Sequence, residues 1–84
     1  MAEKNINQTL RKILGELNIP ALNHEKISDN DDLFQLGLNS INIIEMIVKI
    51  EEAFGIEFDD EGLTLEGLQT INKLENYIKN KIGR

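Results

Sequence analysis

The chain has 84 residues, a hydrophobic content of 40%, a net charge of −6 and no cysteine. That length makes one small domain, spanning 1–84 with a core of about 4–82, and leaves little interior for a deep catalytic cleft beside a core. It has no disulfide framework, thiolate nucleophile or cysteine metal site, and no apolar run approaches the roughly 20 residues of a membrane helix.

The opening Met1-Ala2-Glu3-Lys4 has no apolar signal region, so a monomeric protein of the reducing cytoplasm is expected. Between Asp29 and Glu66 stand eleven acidic residues and one base, Lys49, with the other eight bases at the two ends. Such an acidic middle argues against nucleic acid. It favours partners with basic patches, although a charge run alone is more often a solubilising surface.

In chain order, Ile6, Leu10, Ile13, Leu14 and Leu17 form one helical stripe, which Asn18, Pro20 and Asn23 then break. Residues 18–39 make a long connection. Within it, Asp31 or Asp32 is placed to cap one turn through Leu33, Phe34 and Leu36, with Gly37 free to take a left-handed exit. Ile27, Leu33, Phe34, Leu36 and Leu38 would anchor this connection.

A second helix runs from about Asn39 or Ser40 to Phe54 and stops at Gly55. Asp59-Asp60-Glu61 can start another single turn, ended by Gly62. A last helix, capped by Thr70, carries Ile71, Leu74, Ile78 and Ile82, with Lys79 and Lys81 complementing its dipole. Apolar residues recur at helical spacing and do not alternate. The expected fold is therefore all-α: a small bundle of three long helices and one or two short turns.

Two features of the second helix carry the functional argument. Ser40 stands where a glycine-containing loop meets the helix, so its hydroxyl lies among unpaired backbone N–H groups at the positive end of the dipole. Such a position suits a bound or attached phosphate. The helix also has two apolar faces. At about 100° per residue, Ile43, Met46, Ile47, Ile50 and Phe54 form a core stripe, while Ile41, Ile44 and Val48 fall on the other side with Glu45 and Glu52 beside them. A bundle helix needs one buried stripe. Either the 18–39 connection folds over the second, or the second is a docking strip with an apolar centre and acidic edges.

Other sites fare poorly. Asp29-Asn30-Asp31-Asp32 fails the calcium-loop pattern, since Leu33 and Phe34 fall at its fifth and sixth positions. His24 reads as a solvated loop residue. A Ser40–His24 hydrolase lacks both the strand–turn–helix elbow and an oxyanion hole. A serine at a helix start can also be merely a cap.

The wider pattern shifts that balance. Leu33-x-x-Leu36-Gly37-Leu38-Asn39-Ser40-Ile41, followed by Ile44-Glu45-Met46 and by Glu51-Glu52-x-Phe54-Gly55-Ile56-Glu57-Phe58, closely resembles acyl carrier and peptidyl carrier proteins. The likeness reaches to Thr70-Ile71-x-x-Leu74-x-x-Tyr77-Ile78. It implies a non-catalytic carrier in fatty-acid, polyketide or nonribosomal-peptide biosynthesis. A phosphopantetheinyl transferase would place 4′-phosphopantetheine from coenzyme A on Ser40, flanked by Asn39 and Ile41, and the arm's thiol would hold an acyl or aminoacyl group as a thioester. Acyl- or amino-acid-activating enzymes and downstream synthases, through basic patches, would read Ile41, Ile44, Glu45, Val48, Glu51 and Glu52.

An apolar cargo would lie between helices lined by Ile43, Ile47, Ile50 and Leu74. Asn39 departs from the family's usual aspartate, and Lys49 interrupts an acidic helix; both point to a specialised carrier. The alternative is an unmodified helical adaptor that binds basic partners through the second helix.

Overall fold

The computed structural model describes residues 6–17, 19, 27–60 and 62–83. Three helices, α1 (Ile6–Gly15), α2 (Ser40–Phe54) and α3 (Ile71–Ile82), account for the long elements, with no strand among the described residues. The fold is the small all-α bundle expected, with short turns in the connections. His24 and the breakers Asn18, Pro20 and Asn23 lie outside the described residues.

Each helix is set by its apolar spacing and its ends. On α1, Ile6, Leu10, Ile13 and Leu14 are buried. The helix stops at Gly15, two residues before the last member of the expected stripe. Leu17 still reaches the core because its N–H bonds to Leu14 O at 3.2 Å, tightening the last turn. Met46 and Ile50 of α2 and Ile71, Leu74 and Ile78 of α3 are fully buried beside them. Thr70 caps α3 by accepting from Lys73 N–H at 3.1 Å. Gly55 ends α2 at φ 67°, a left-handed conformation that glycine takes without a Cβ penalty.

The two long connections are held to the helices by side chains. Arg11 of α1 donates to Asp29 Oδ1 at 2.6 Å, to Asn7 Oδ1 at 2.7 Å and to the Ile27 carbonyl. Asn7 bridges the same Asp29 carboxylate to Glu75 of α3. The Asn7 and Arg11 donors hold the Asp29 carboxyl below its ordinary range. Further on, Leu33 N–H donates to Gln69 O at 2.8 Å and Asn72 N–H to Asp29 O at 3.0 Å, tying the first connection to the start of α3.

The second connection is latched on Tyr77. Its hydroxyl donates to Asp59 Oδ1 at 2.7 Å and accepts from Asp59 N–H at 3.0 Å; Lys81 binds Asp59 Oδ2 at 2.9 Å. Phe58 stacks on the ring with centroids 5.0 Å apart. As expected, Asp59 starts a turn, its carbonyl accepting from Gly62 N–H at 3.0 Å and Leu63 N–H at 3.1 Å. Gly62 lies so close to the Tyr77 ring that any Cβ would overlap it.

Two measurements test this latch. Gly62→Ala should lower unfolding free energy in a urea titration by about 1–3 kcal/mol, the usual range for overpacking; an unchanged midpoint would show that the ring moves aside easily. The Lys81 and Tyr77 bonds lower the Asp59 carboxyl to about 2 from its ordinary 3.8. Its stabilising contribution is therefore complete above pH 3.8 and lost as pH falls through about 2. Asp59→Asn should flatten the acid limb of stability in that window, whereas an unaltered limb would remove Asp59 from the latch.

Candidate functional site

The site is built at the amino end of α2. Asp32 shapes the turn before it: Oδ1 accepts from Phe34 N–H at 3.0 Å, Oδ2 from Gln69 Nε2 at 3.1 Å, and its carbonyl from Leu36 N–H at 3.3 Å. The Gln69 bond, first, holds this carboxyl below its ordinary range. Asp31, the other candidate cap, accepts from Ser28 N–H instead. Gly37 takes φ 116°, and Leu38 turns back into the core with its N–H on Leu33 O at 3.0 Å. A side chain at 37 would be strained by that φ and crowded by Ile19, 3.0 Å from a Cβ.

This turn delivers Asn39 in extended conformation (φ −124°, ψ 178°) as the N-cap. Its Oδ1 accepts from Ile41 N–H and Asn42 N–H, each at 3.0 Å, and its carbonyl accepts from Ile43 N–H at 2.8 Å. Ser40 is thus the first helical residue, exposed, with its own N–H lacking an acceptor among the described residues. No acidic side chain occupies the first turn. An exposed hydroxyl beside an unpaired N–H at the positive end of a 15-residue helix suits a covalently held phosphate.

Along α2 from this point the second apolar stripe is open. Ile41 is 77% exposed, Ile44 67% and Val48 45%. Glu45 and Glu52 are exposed beside them. The described part of the 18–39 connection therefore packs elsewhere, and the strip remains available. Glu51, expected with the same strip, has another engagement: it is half-buried and its Oε2 accepts from Phe58 N–H at 2.9 Å, fixing the chain just past α2. Lys49 faces α1, 3.5 Å from Glu16.

Of the residues proposed to line an apolar cargo site, Ile50 and Leu74 are fully buried, with Ile43 and Ile47 packed against the core. An open cleft of about 330 Å³ lies between the α1 end of the chain and α2, lined by Thr9, Lys12, Ile13, Glu16, Lys49, Glu52 and Ala53. The geometry brings Asn39, Ser40 and Ile41 together at one helix end and aligns Ile44, Glu45, Val48 and Glu52 behind them. His24, the remaining partner of the hydrolase reading, is outside the described residues.

Comparison with known proteins agrees with this geometry. Residues 7–78 match the family described as phosphopantetheine attachment site. The chain is 36% identical to the aminoacyl carrier protein of Agrobacterium fabrum over 88% of its length and 89% of the relative's. It is 40% identical to the acyl carrier protein of Buchnera aphidicola subsp. Schizaphis graminum, covering 92% of this chain and 94% of that one. Among solved structures it resembles, with a TM-score of 0.81 and 33% identity over 89% of this chain and 97% of the other, a chain from a crystallised complex. That complex joins an engineered Bradyrhizobium japonicum glycine:carrier protein ligase to a carrier protein from Agrobacterium tumefaciens and ATP.

The chain belongs to the phosphopantetheine-binding carrier proteins. Membership implies a covalent 4′-phosphopantetheine group, and when attached it supplies the thiol that a cysteine-free chain lacks. No helix among the described residues is long and apolar enough to cross a membrane.

Asn39→Ala removes the acceptor for two N–H groups and should lower unfolding free energy by about 1 kcal/mol. Amide exchange at Ile41 and Asn42 should accelerate ahead of the rest of α2. Exchange rates equal to those of the native chain would show that the cap does not hold this end.

Proposed function

We propose that Ser40 is the attachment point of the prosthetic arm and that the chain is an aminoacyl carrier with no catalysis of its own. The observation that carries the first part is the exposed Ser40 hydroxyl at the first position of a capped helix whose amino end holds no competing negative charge. In the transfer, the hydroxyl oxygen forms a bond to the β-phosphorus of coenzyme A as the pyrophosphate linkage breaks. The nucleotide half leaves and the hydroxyl proton passes to a base of the transferase.

This chain's part is to present the oxygen, fix it by the Asn39 cap and seat the resulting phosphodiester at the helix end. Ile41, Ile44 and Val48 then serve as the apolar centre of the address, and Glu45 and Glu52 as its acidic edge, which basic partners find by charge-steered, short-lived association. Glu51 braces the connection after α2 and contributes at most its outer oxygen to that edge. A reducing cytoplasm is the compartment this reading assigns, because the arm works as a free thiol.

Aminoacyl cargo is supported by the likeness to the Agrobacterium fabrum aminoacyl carrier protein and to the chain crystallised with a glycine:carrier protein ligase. A fatty-acyl carrier is the second reading, favoured by the 40% identity to the Buchnera protein.

Incubation with a broad-specificity transferase and coenzyme A should add one phosphopantetheine mass, and Ser40→Ala should abolish the addition. Supplying the modified chain with an amino-acid:carrier ligase, glycine and ATP should then add one glycyl mass. Loading by an acyl-carrier synthetase with a fatty acid, and not by the ligase, would favour the second reading. With cargo loading as the readout, Ile41→Asp and Val48→Glu should each reduce the ligase kcat/KM by at least about tenfold, the scale of losing one buried interface contact. Unchanged loading would place the docking surface elsewhere. If partner binding and cellular function survived Ser40→Ala while the strip variants abolished both, the chain would be an unmodified adaptor.

A further inference from the structure

The amino end of α2 is capped but not neutralised. Asn39 Oδ1 takes two N–H groups and the Asn39 carbonyl a third, yet none of these acceptors brings a formal charge. The first turn contains no acidic residue. Asp32, in the turn that leads into the cap, spends its carboxylate on Phe34 N–H and Gln69 Nε2. Among the described residues Ser40 N–H therefore stands unpaired at the positive end of α2, on the same residue as the hydroxyl that would bear the arm.

We propose that Asn39 is a positioning residue that couples attachment of the prosthetic group to folding: by capping α2 without charge, it leaves the helix end to be neutralised by the phosphodiester on Ser40. The modified chain is then more stable than the unmodified one. This rests on Ser40 being the attachment point. An aspartate at 39 would make the same two hydrogen bonds while supplying its own anion. It would satisfy the dipole before modification and repel the phosphodiester afterwards. Because attachment and folding share one free energy, the neutral cap makes the unmodified helix end the looser of the two states, and modification closes it.

The test compares melting temperatures of the full chain, unmodified and modified, in the native sequence and in Asn39→Asp, at low and high ionic strength. Attachment should raise the native melting temperature by about 2–6 °C, the shift expected when one anion compensates a helix end in a domain of this size. High salt should shrink that gain. Asn39→Asp should raise the melting temperature of the unmodified chain and cancel most of the gain, whereas Asn39→Ser, a neutral cap, should keep it.

Equal gains in the native and Asn39→Asp chains would overturn the proposal. Ser40→Glu makes the same comparison without a transferase: it should stabilise the native background and stabilise Asn39→Asp less. Equal effects there would also overturn it. Failure of the native chain to gain phosphopantetheine mass would refute the attachment reading instead, and the Ser40→Glu pair would still decide the charge coupling.

Discussion

The functional end of this molecule depends on one side-chain carbonyl. Asn39 Oδ1, accepting from Ile41 N–H and Asn42 N–H, fixes the residue at which α2 begins. A start one residue later would turn the helix by about 100° relative to the chain entering it. Ser40 would leave the first helical position and the exposed stripe would rotate toward the core. The cap is itself held in place by the turn before it: Asp32 and Leu33 bind Gln69, Gly37 takes a positive φ, and Leu38 is buried. Local chemistry at residue 39 and a long-range anchor at residue 69 thus set a single geometry.

The carboxylates of this acidic chain divide into two groups by what they touch. Asp29, Asp32, Glu51 and Asp59 accept from side chains or backbone N–H groups and hold the connections against the helices. At Asp59, bonded to Lys81 and the Tyr77 hydroxyl, the carboxyl is lowered to about 2. Glu45 and Glu52 remain exposed beside Ile41, Ile44 and Val48. The negative charge is therefore partly internal scaffolding and partly address. Lys49, facing Glu16 just past α1, belongs with the scaffolding and leaves the acidic edge of the strip intact.

The three helices, the cap at Thr70, the glycine exits at 37 and 55 and the second apolar stripe of α2 were legible, because each is written in spacing or end-residue chemistry within a few positions. Whether α2 starts at Asn39 or Ser40, and whether the connection covers that stripe, is open in the sequence; the structure makes Asn39 the cap and leaves the stripe exposed. What the sequence concealed was pairing at a distance. Nothing in the order of residues says that Tyr77 receives Asp59, that Arg11 gathers Asp29 and the Ile27 carbonyl, or that Gly62 is small because a ring lies on it. These contacts join positions 15 to 18 apart, where periodicity carries no information. Glu51 shows the same gap on a smaller scale: helix phase placed it with the docking strip, but Phe58 N–H, seven residues on, claims one of its oxygens. Leu17 joined the core as expected by a tightened turn past the end of α1. The mixed polar and apolar cleft between α1 and α2 arises where two helices meet, which no single stripe describes.

The central claim is that the Ser40 oxygen bears the arm. The most direct measurement is peptide-level tandem mass spectrometry of the protein isolated from the cell that makes it. The account requires phosphopantetheine on the fragment containing Asn39-Ser40-Ile41 and nowhere else. Fully active protein with a bare Ser40, or with the group on another residue, would contradict it.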